Sequence, residues 1–322
     1  MARKIRVYYR APSHVPLWKV MEEGGFLEKH GLAMELGSLE GQRRRAAEGL
    51  KAGDLDIVSG NHHNLYARKA RHGDPYVHLA QTNNRWRENF LVARDGIDGL
   101  QDLRGKRVAM DDYDGHTGLN VWLYLKRAGL EEGRDVELVT DPVKGVERAR
   151  GVAEGKYDAT FIRAVERLRV LRSGARVMEV PPMAMIEGVT LTTTTTYVKS
   201  HEEEVRALIL ALIDAIHFFK TRRAETLEIV KRHCGRMLRI ENDEEWDCFY
   251  ETQAATLEPA PYPSFEAIQN VFALAVKRDP EIKDFNPLIL WDLHYLREID
   301  DSGYIDRLYR RENREEETRT ER

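Results

Sequence analysis

Gly60-Asn61-His62-His63-Asn64 sets two imidazoles between two amides directly after a short apolar run, with a glycine to make the turn. An imidazole can donate to an oxyanion, serve as general acid or base, or bind a metal when neutral. Adjacent histidines point different ways, so one of His62 and His63 is expected at a ligand and the other packed or solvated. A second polar loop, Asp111-Asp112-Tyr113-Asp114-Gly115-His116-Thr117-Gly118, leads from a strand-like run into a helix-like one. There Thr117, Gly118 and neighbouring backbone N–H groups can face an anion at the positive end of the helix, although the same residue types also make an ordinary helix cap. The acidic Asp111, Asp112 and Asp114 can instead meet an amine or hydroxyls of a ligand, or form a solvated turn, and His116 beside them joins the expected ligand-binding set.

Arg163 directly follows the apolar run Ala159-Thr160-Phe161-Ile162, and Arg85 follows Thr82-Asn83-Asn84. Each offers the planar fork that suits carboxylate, sulfonate or phosphate; the commoner fate of an arginine is a surface salt bridge. Tyr9, Ser13, Asn61 and Asn83 complete the expected ligand-binding set, and Tyr9 and Trp18 can wall a cleft with aromatic surface. Trp18 reads better as core. His62, His63, His116 and Asp111 or Asp112 have the side-chain chemistry of a zinc or iron site, but no fixed-spacing motif accompanies them, so no metal and no other cofactor is expected.

These loops need strands to end at a common edge. Strand-like runs at 5–9, 32–36, 56–59, 76–81 and 90–93 alternate with helix-like runs at 17–30, 41–52 and 64–72, the pattern of a mainly parallel α/β sheet. A turn-rich connector over 95–106 opens a second series, with strands at 107–110, 136–139, 159–162 and 176–179 and helices at 117–128, 145–154 and 164–173. The β-branched run 189–198 reads as the return strand, and from 202 onward the pattern is helical. This predicts two α/β lobes joined by two chain crossings: residues 1–94 with 195–310 as lobe I, 95–194 as lobe II, and 311–322 as a disordered charged tail. In such a protein the cleft lies outside the carboxyl ends of the strands.

With 322 residues, five Trp and nine Phe, the chain can fill two cores. Its 32% of charged residues nearly cancel to −4, which gives no basic field for nucleic acid or an anionic membrane. Cys234 and Cys248 alone exclude a disulfide framework. Met1-Ala2-Arg3-Lys4 runs straight into a strand without the apolar region of a signal peptide. The expected setting is therefore cytoplasmic, or periplasmic or extracellular if a signal was trimmed. No oligomeric state is legible.

Several strings resemble the periplasmic-binding-protein-like (type II) proteins of the sulfonate, nitrate and thiamine-precursor binding group, the SsuA/NMT1/THI5-like family. They are Pro16-Leu17-Trp18, Glu48-Gly49-Leu50-Lys51-Ala52-Gly53-Asp54-Leu55-Asp56, Asp102-Leu103-Arg104-Gly105-Lys106-Arg107-Val108, and Gly155-Lys156-Tyr157-Asp158-Ala159. The resemblance covers about residues 4 to 220. It implies a two-lobed fold with a ligand cleft between the lobes and a helical C-terminal extension. It also implies a protein that binds a small anionic or heteroaromatic molecule, with an ABC permease as partner if the native protein is exported. The same fold serves cytosolic enzymes, so a decarboxylase or desulfinase-like lyase using a cleft histidine and arginine is the alternative. A histidine in a comparable loop of the family's pyrimidine synthase draws attention to His62 and His63. The desulfinases' cysteine in the loop after the first strand is absent here, where the chain reads Arg10-Ala11-Pro12-Ser13-His14.

Overall fold

The computed structural model describes residues 3–40, 42–60, 63–112 and 116–310, with backbone alone at 43, 44, 116 and 117. The predicted tail 311–322 lies outside them. The strands are β1 (Arg3–Tyr9), β2 (Leu32–Ser38), β3 (Ile57–Ser59), β4 (Tyr76–Arg85), β5 (Phe90–Ala93), β6 (Lys106–Met110), β7 (Val136–Thr140), β8 (Ala159–Ile162), β9 (Val177–Glu179) and β10 (Ala184–Thr194). They form two five-stranded sheets, ordered β2-β1-β3-β10-β4 and β7-β6-β8-β5-β9. This is the two-lobed α/β fold that the alternation of patterns predicts.

Each sheet contains one strand that runs against the rest. In the first it is β10, antiparallel to β3 and β4; in the second it is β5, antiparallel to β8 and β9. Both stand next to a chain crossing, so the crossings are 86–89 and 180–183, one strand earlier at each end than the expected 94/95 and 194/195. Phe90–Ala93 is too short and apolar to declare its sheet, and its partners Ile162 to Ala159 place it in the second. The two crossings also bond to each other: Trp86 N–H donates to the Met183 carbonyl and Val180 N–H to that of Asn89, both at 2.9 Å.

Two local expectations change for identifiable reasons. The run 17–30 is two helices, Val15–Glu23 and Phe26–Lys29, because Gly25 takes φ 73°, a conformation only glycine adopts freely. The β-branched run 189–198 ends as a strand at Thr194, whose side chain caps the helix Thr195–Ser200 by accepting from Tyr197 N–H at 3.1 Å.

The C-terminal helices hold both lobes. Phe265–Arg278 packs on β10, on the lobe I helix His63–His72 and on the lobe II helix His116–Arg127, within one apolar cluster that contains residues of both sheets. Asp243–Thr256 packs on the lobe II helix Ala164–Arg172. There the fully buried Glu245 accepts from Arg169 at 2.7 and 3.2 Å and from Arg172 at 2.9 Å. On the other flank, Arg127 meets Glu266 at 3.0 Å and Lys277 meets Glu132 at 3.2 Å. No helix among the described residues is long and apolar enough to cross a membrane.

Candidate functional site

The turn after β1 is a short 3-10 segment, Pro12–His14, whose histidine is buried at the end of β3. His14 Nδ1 lies 3.1 Å from both the carbonyl oxygen and the Oγ of Ser59, and Trp18 Nε1 donates to that same Oγ at 2.9 Å. Burial, helped by the guanidinium of Arg87, lowers the His14 pKa to about 3, so the ring is neutral. Gly60 follows at φ 78°, and a Cβ there would come within 2.6 Å of His14 Cε1. Gly60→Ala therefore combines backbone strain with a steric clash, and we expect it to lower stability by about 1–3 kcal/mol, measured as an earlier urea midpoint. An unchanged midpoint would mean that this loop relaxes freely.

The outgoing crossing carries adjacent charges, Arg87 and Glu88, both more than nine-tenths buried. Arg87 Nη1 donates to Gln253 Oε1 at 3.1 Å, and its Nη2 lies 3.6 Å from Glu187 Oε2. Glu88 Oε1 accepts from Nε of Arg163 at 3.2 Å. Burial raises the Glu88 pKa to about 7; Arg163 opposes the shift, while Asp111, Glu166 and Glu187 add to it. Glu187 sits at a bulge in β10 beside Gly188, which takes φ 69°, and such an irregularity re-aims a side chain. Its Oε1 accepts from Asn120 Nδ2 at 3.1 Å.

Next to this cluster lies a cavity of about 230 Å³ walled by both lobes. Arg87, Lys144, Arg163, Arg169, Arg239 and Glu166 line it, together with the apolar Met237, Leu238, Ile240 and Phe249 of the C-terminal region. Arg169 is already committed to Glu245, but Arg163 keeps 45% of its side chain exposed. The arrangement suits a small anion with an apolar body. Among the described residues, no three His, Cys, Asp or Glu side chains gather around a common point that could hold a metal ion.

A family model described as NMT1/THI5 like matches residues 11–225. The chain belongs to the NMT1/THI5-like family. No curated protein matches it in sequence. Among solved structures, a putative periplasmic sulfonate-binding protein SsuA from Methylobacillus flagellatus has a TM-score of 0.69 at 15% identity, over 94% of this chain and 95% of that one. The alkanesulfonate-binding protein SsuA from Xanthomonas axonopodis pv. citri, bound to MOPS, gives 0.57 at 16% identity, over 86% and 91%. The desulfurization enzyme DSZB gives 0.63 at 17% identity, over 94% and 99%. At these identities the likeness establishes the periplasmic-binding-protein fold.

On this NMT1/THI5-like frame the expected site residues divide. Ser13 lines the cavity, and with Asn83 and Arg87 it also lines a smaller hollow. The Asn83 amide turns back on its own strand, donating to the Arg85 carbonyl at 3.2 Å and accepting from Arg85 N–H at 2.9 Å. Asp111 and Arg163 both act on Glu88, and Asp111 Oδ1 also accepts from Asp112 N–H at 2.6 Å. Gly118 is buried in the first turn of the helix His116–Arg127. Tyr9 is half-buried at the end of β1, packed against a lobe I core cluster, and His63 is buried at the start of its helix. Arg85 lies apart from the cavity: it is exposed and lines a different hollow of about 860 Å³ with Arg127, Glu258 and Tyr262. Asn61 and His62, and the side chains of His116 and Thr117, lie outside the described residues.

Sequence reasoning passes over Arg87, Glu88, Asn120 and Glu187, and reads His14 only as the end of the loop after the first strand. The signal that finds the crossing pair is Arg85-Trp86-Arg87-Glu88-Asn89, a charged string between two buried strands, once the crossing is placed there.

Proposed function

We propose that this protein binds a small organic anion, a sulfonate or carboxylate, in the cavity between its lobes, as an SsuA-like substrate-binding protein does. The observation that carries this reading is the cavity itself, which both lobes wall and in which Arg87, Lys144 and Arg163 outweigh Glu166. Family membership and the MOPS-bound SsuA neighbour support it. Partnership with an ABC permease belongs to the same proposal and applies where the native protein is exported.

Calorimetric titration with benzenesulfonate, propanoate and MOPS tests the reading, because binding to the native state alone also raises thermal stability. Arg163→Ala is expected to weaken binding about 10- to 100-fold, the worth of a hydrogen bond to a charged group, with the fold retained. Equal affinities in wild type and Arg163→Ala would remove Arg163 from the site.

One observation favours a second reading, an enzyme on the same fold. The Glu88 carboxyl, held near pH 7 beside Arg163, can give or take a proton under physiological conditions, which would make it the acid or base of a lyase. Mass spectrometry of the ligand after incubation separates the two: a binding protein returns it intact, and a lyase returns it without its carboxyl or sulfinate group.

A further inference from the structure

Among the described residues, one position other than glycine takes a positive φ: Arg239, at 53°. It closes the helix Arg223–Leu238 in the left-handed conformation, and its N–H donates to the Gly235 carbonyl at 3.1 Å. Helices that end this way usually place glycine there, because a Cβ costs energy in that region. Strained residues of this kind persist where the surrounding structure holds them, and they gather at ligand clamps.

Two further observations say what holds Arg239 and where it stands. Its carbonyl accepts from Arg169 Nη2 at 2.5 Å, and the same Nη2 donates to the fully buried Glu245 carboxylate at 2.7 Å. Arg169 belongs to the lobe II helix Ala164–Arg172, so the turn at 239 is fastened to that lobe. Arg239 also lines the cavity of about 230 Å³, as do its apolar neighbours Leu238 and Ile240. Its N–H and carbonyl are both used, which leaves the side chain. The residue is exposed, and among the described residues its guanidinium has no hydrogen bond or ion pair. The other arginines of the cavity are shared: Arg87 with Glu187, Arg163 with Glu88, and Arg169 with Glu245.

We infer that Arg239 is a further binding residue of this cavity, a guanidinium that the C-terminal helices bring to the acid group of the ligand. The strained backbone is the cost of placing it there. The inference rests on the anion-binding reading and deepens it, since Arg239 adds a cation with no competing carboxylate. A basic residue at a helix C-terminus also meets the negative end of the helix dipole, so the test has to separate that role from ligand binding.

Two variants do so in the full chain. Arg239→Gly relieves the backbone, whereas Arg239→Gln keeps the length of the side chain and removes its charge. Benzenesulfonate and MOPS are titrated calorimetrically into wild type and each variant, and the urea midpoint of each is measured. Both variants are expected to bind about tenfold weaker, the scale of one charge-assisted hydrogen bond. Arg239→Gly is expected to unfold at the same urea midpoint as wild type or a later one. If either variant binds as wild type does while Arg163→Ala binds weaker, the inference fails and the anion-binding reading stands. An earlier midpoint for Arg239→Gly would assign Arg239 to the helix end and overturn the inference as well. If wild type binds neither probe, both readings fall. Arg239→Gln leaves the turn itself in place, so its affinity decides even if Arg239→Gly does not fold.

Discussion

Glu245→Ala is expected to lower the unfolding free energy by about 3–5 kcal/mol, the usual cost of removing one partner from a buried ion pair. The carboxylate is fully buried and serves two guanidinium groups at once, Arg169 through both of its oxygens and Arg172 through one. It also accepts from Glu241 N–H at 3.1 Å and from the helix-capping Asn242 Nδ2 at 3.3 Å. Arg169 retains some solvent contact, which places the effect toward the lower end of the range. The hydrogen bonds from Arg169 hold the Glu245 carboxyl down at about 2. Because this folded value lies below the unfolded one, about 4.3, the stabilisation is present above pH 4.3 and is lost as pH falls toward 2. Urea unfolding should therefore separate wild type from Glu245→Ala widely at pH 7 and bring the two together near pH 2. A separation that persists at pH 2 would assign the effect to packing rather than to charge.

Trp18→Ala is expected to cost about 3–5 kcal/mol, as large-to-small changes of buried aromatics do. Trp18 has no exposed surface and packs among Ile5, Val20, Met21 and Ile57 in the lobe I core. Its indole N–H also fixes Ser59 Oγ, which in turn meets His14 Nδ1. Trp18→Phe keeps most of the apolar surface and removes only this hydrogen bond, so it should cost about 1–3 kcal/mol. Comparing the urea midpoints of the two variants separates ring volume from hydrogen bond. Trp18→Ala within about 1 kcal/mol of wild type would show that the core around the first helix collapses to fill the space.

Much of the frame is legible in the sequence because it is local. Among the parallel strands, β1 alternates apolar with polar residues, β6 ends in and β8 consists of a short buried apolar run, and turn signals bound all three. The misreadings lie where long-range partners decide. β4 continues through Gln81, Thr82, Asn83 and Asn84, polar residues that end a predicted strand at 81, yet all four are buried. Thr82 Oγ1 donates to the Val189 carbonyl at 3.0 Å, and Asn84 bonds Tyr262 and Ser264 at 2.8 and 2.9 Å. Those partners stand more than a hundred residues away, so no window of sequence reports them. The same holds at the site. Arg163 is legible as a candidate because it directly follows a readable strand, whereas Glu88 becomes conspicuous only when its burial is known. Arg85, chosen by the same reasoning as Arg163, ends β4 and lines another hollow.

The backbone bonds between the two crossings have a mechanical consequence. Two independent tethers would let the lobes swivel and shear as well as close, but a short ribbon pinned at Trp86–Met183 and Val180–Asn89 behaves as a flexure. Because the C-terminal helices also pack on both lobes, any bending of this ribbon has to be matched by a shift in their packing. Arg87 and Glu88 lie on that flexure, between its two pins.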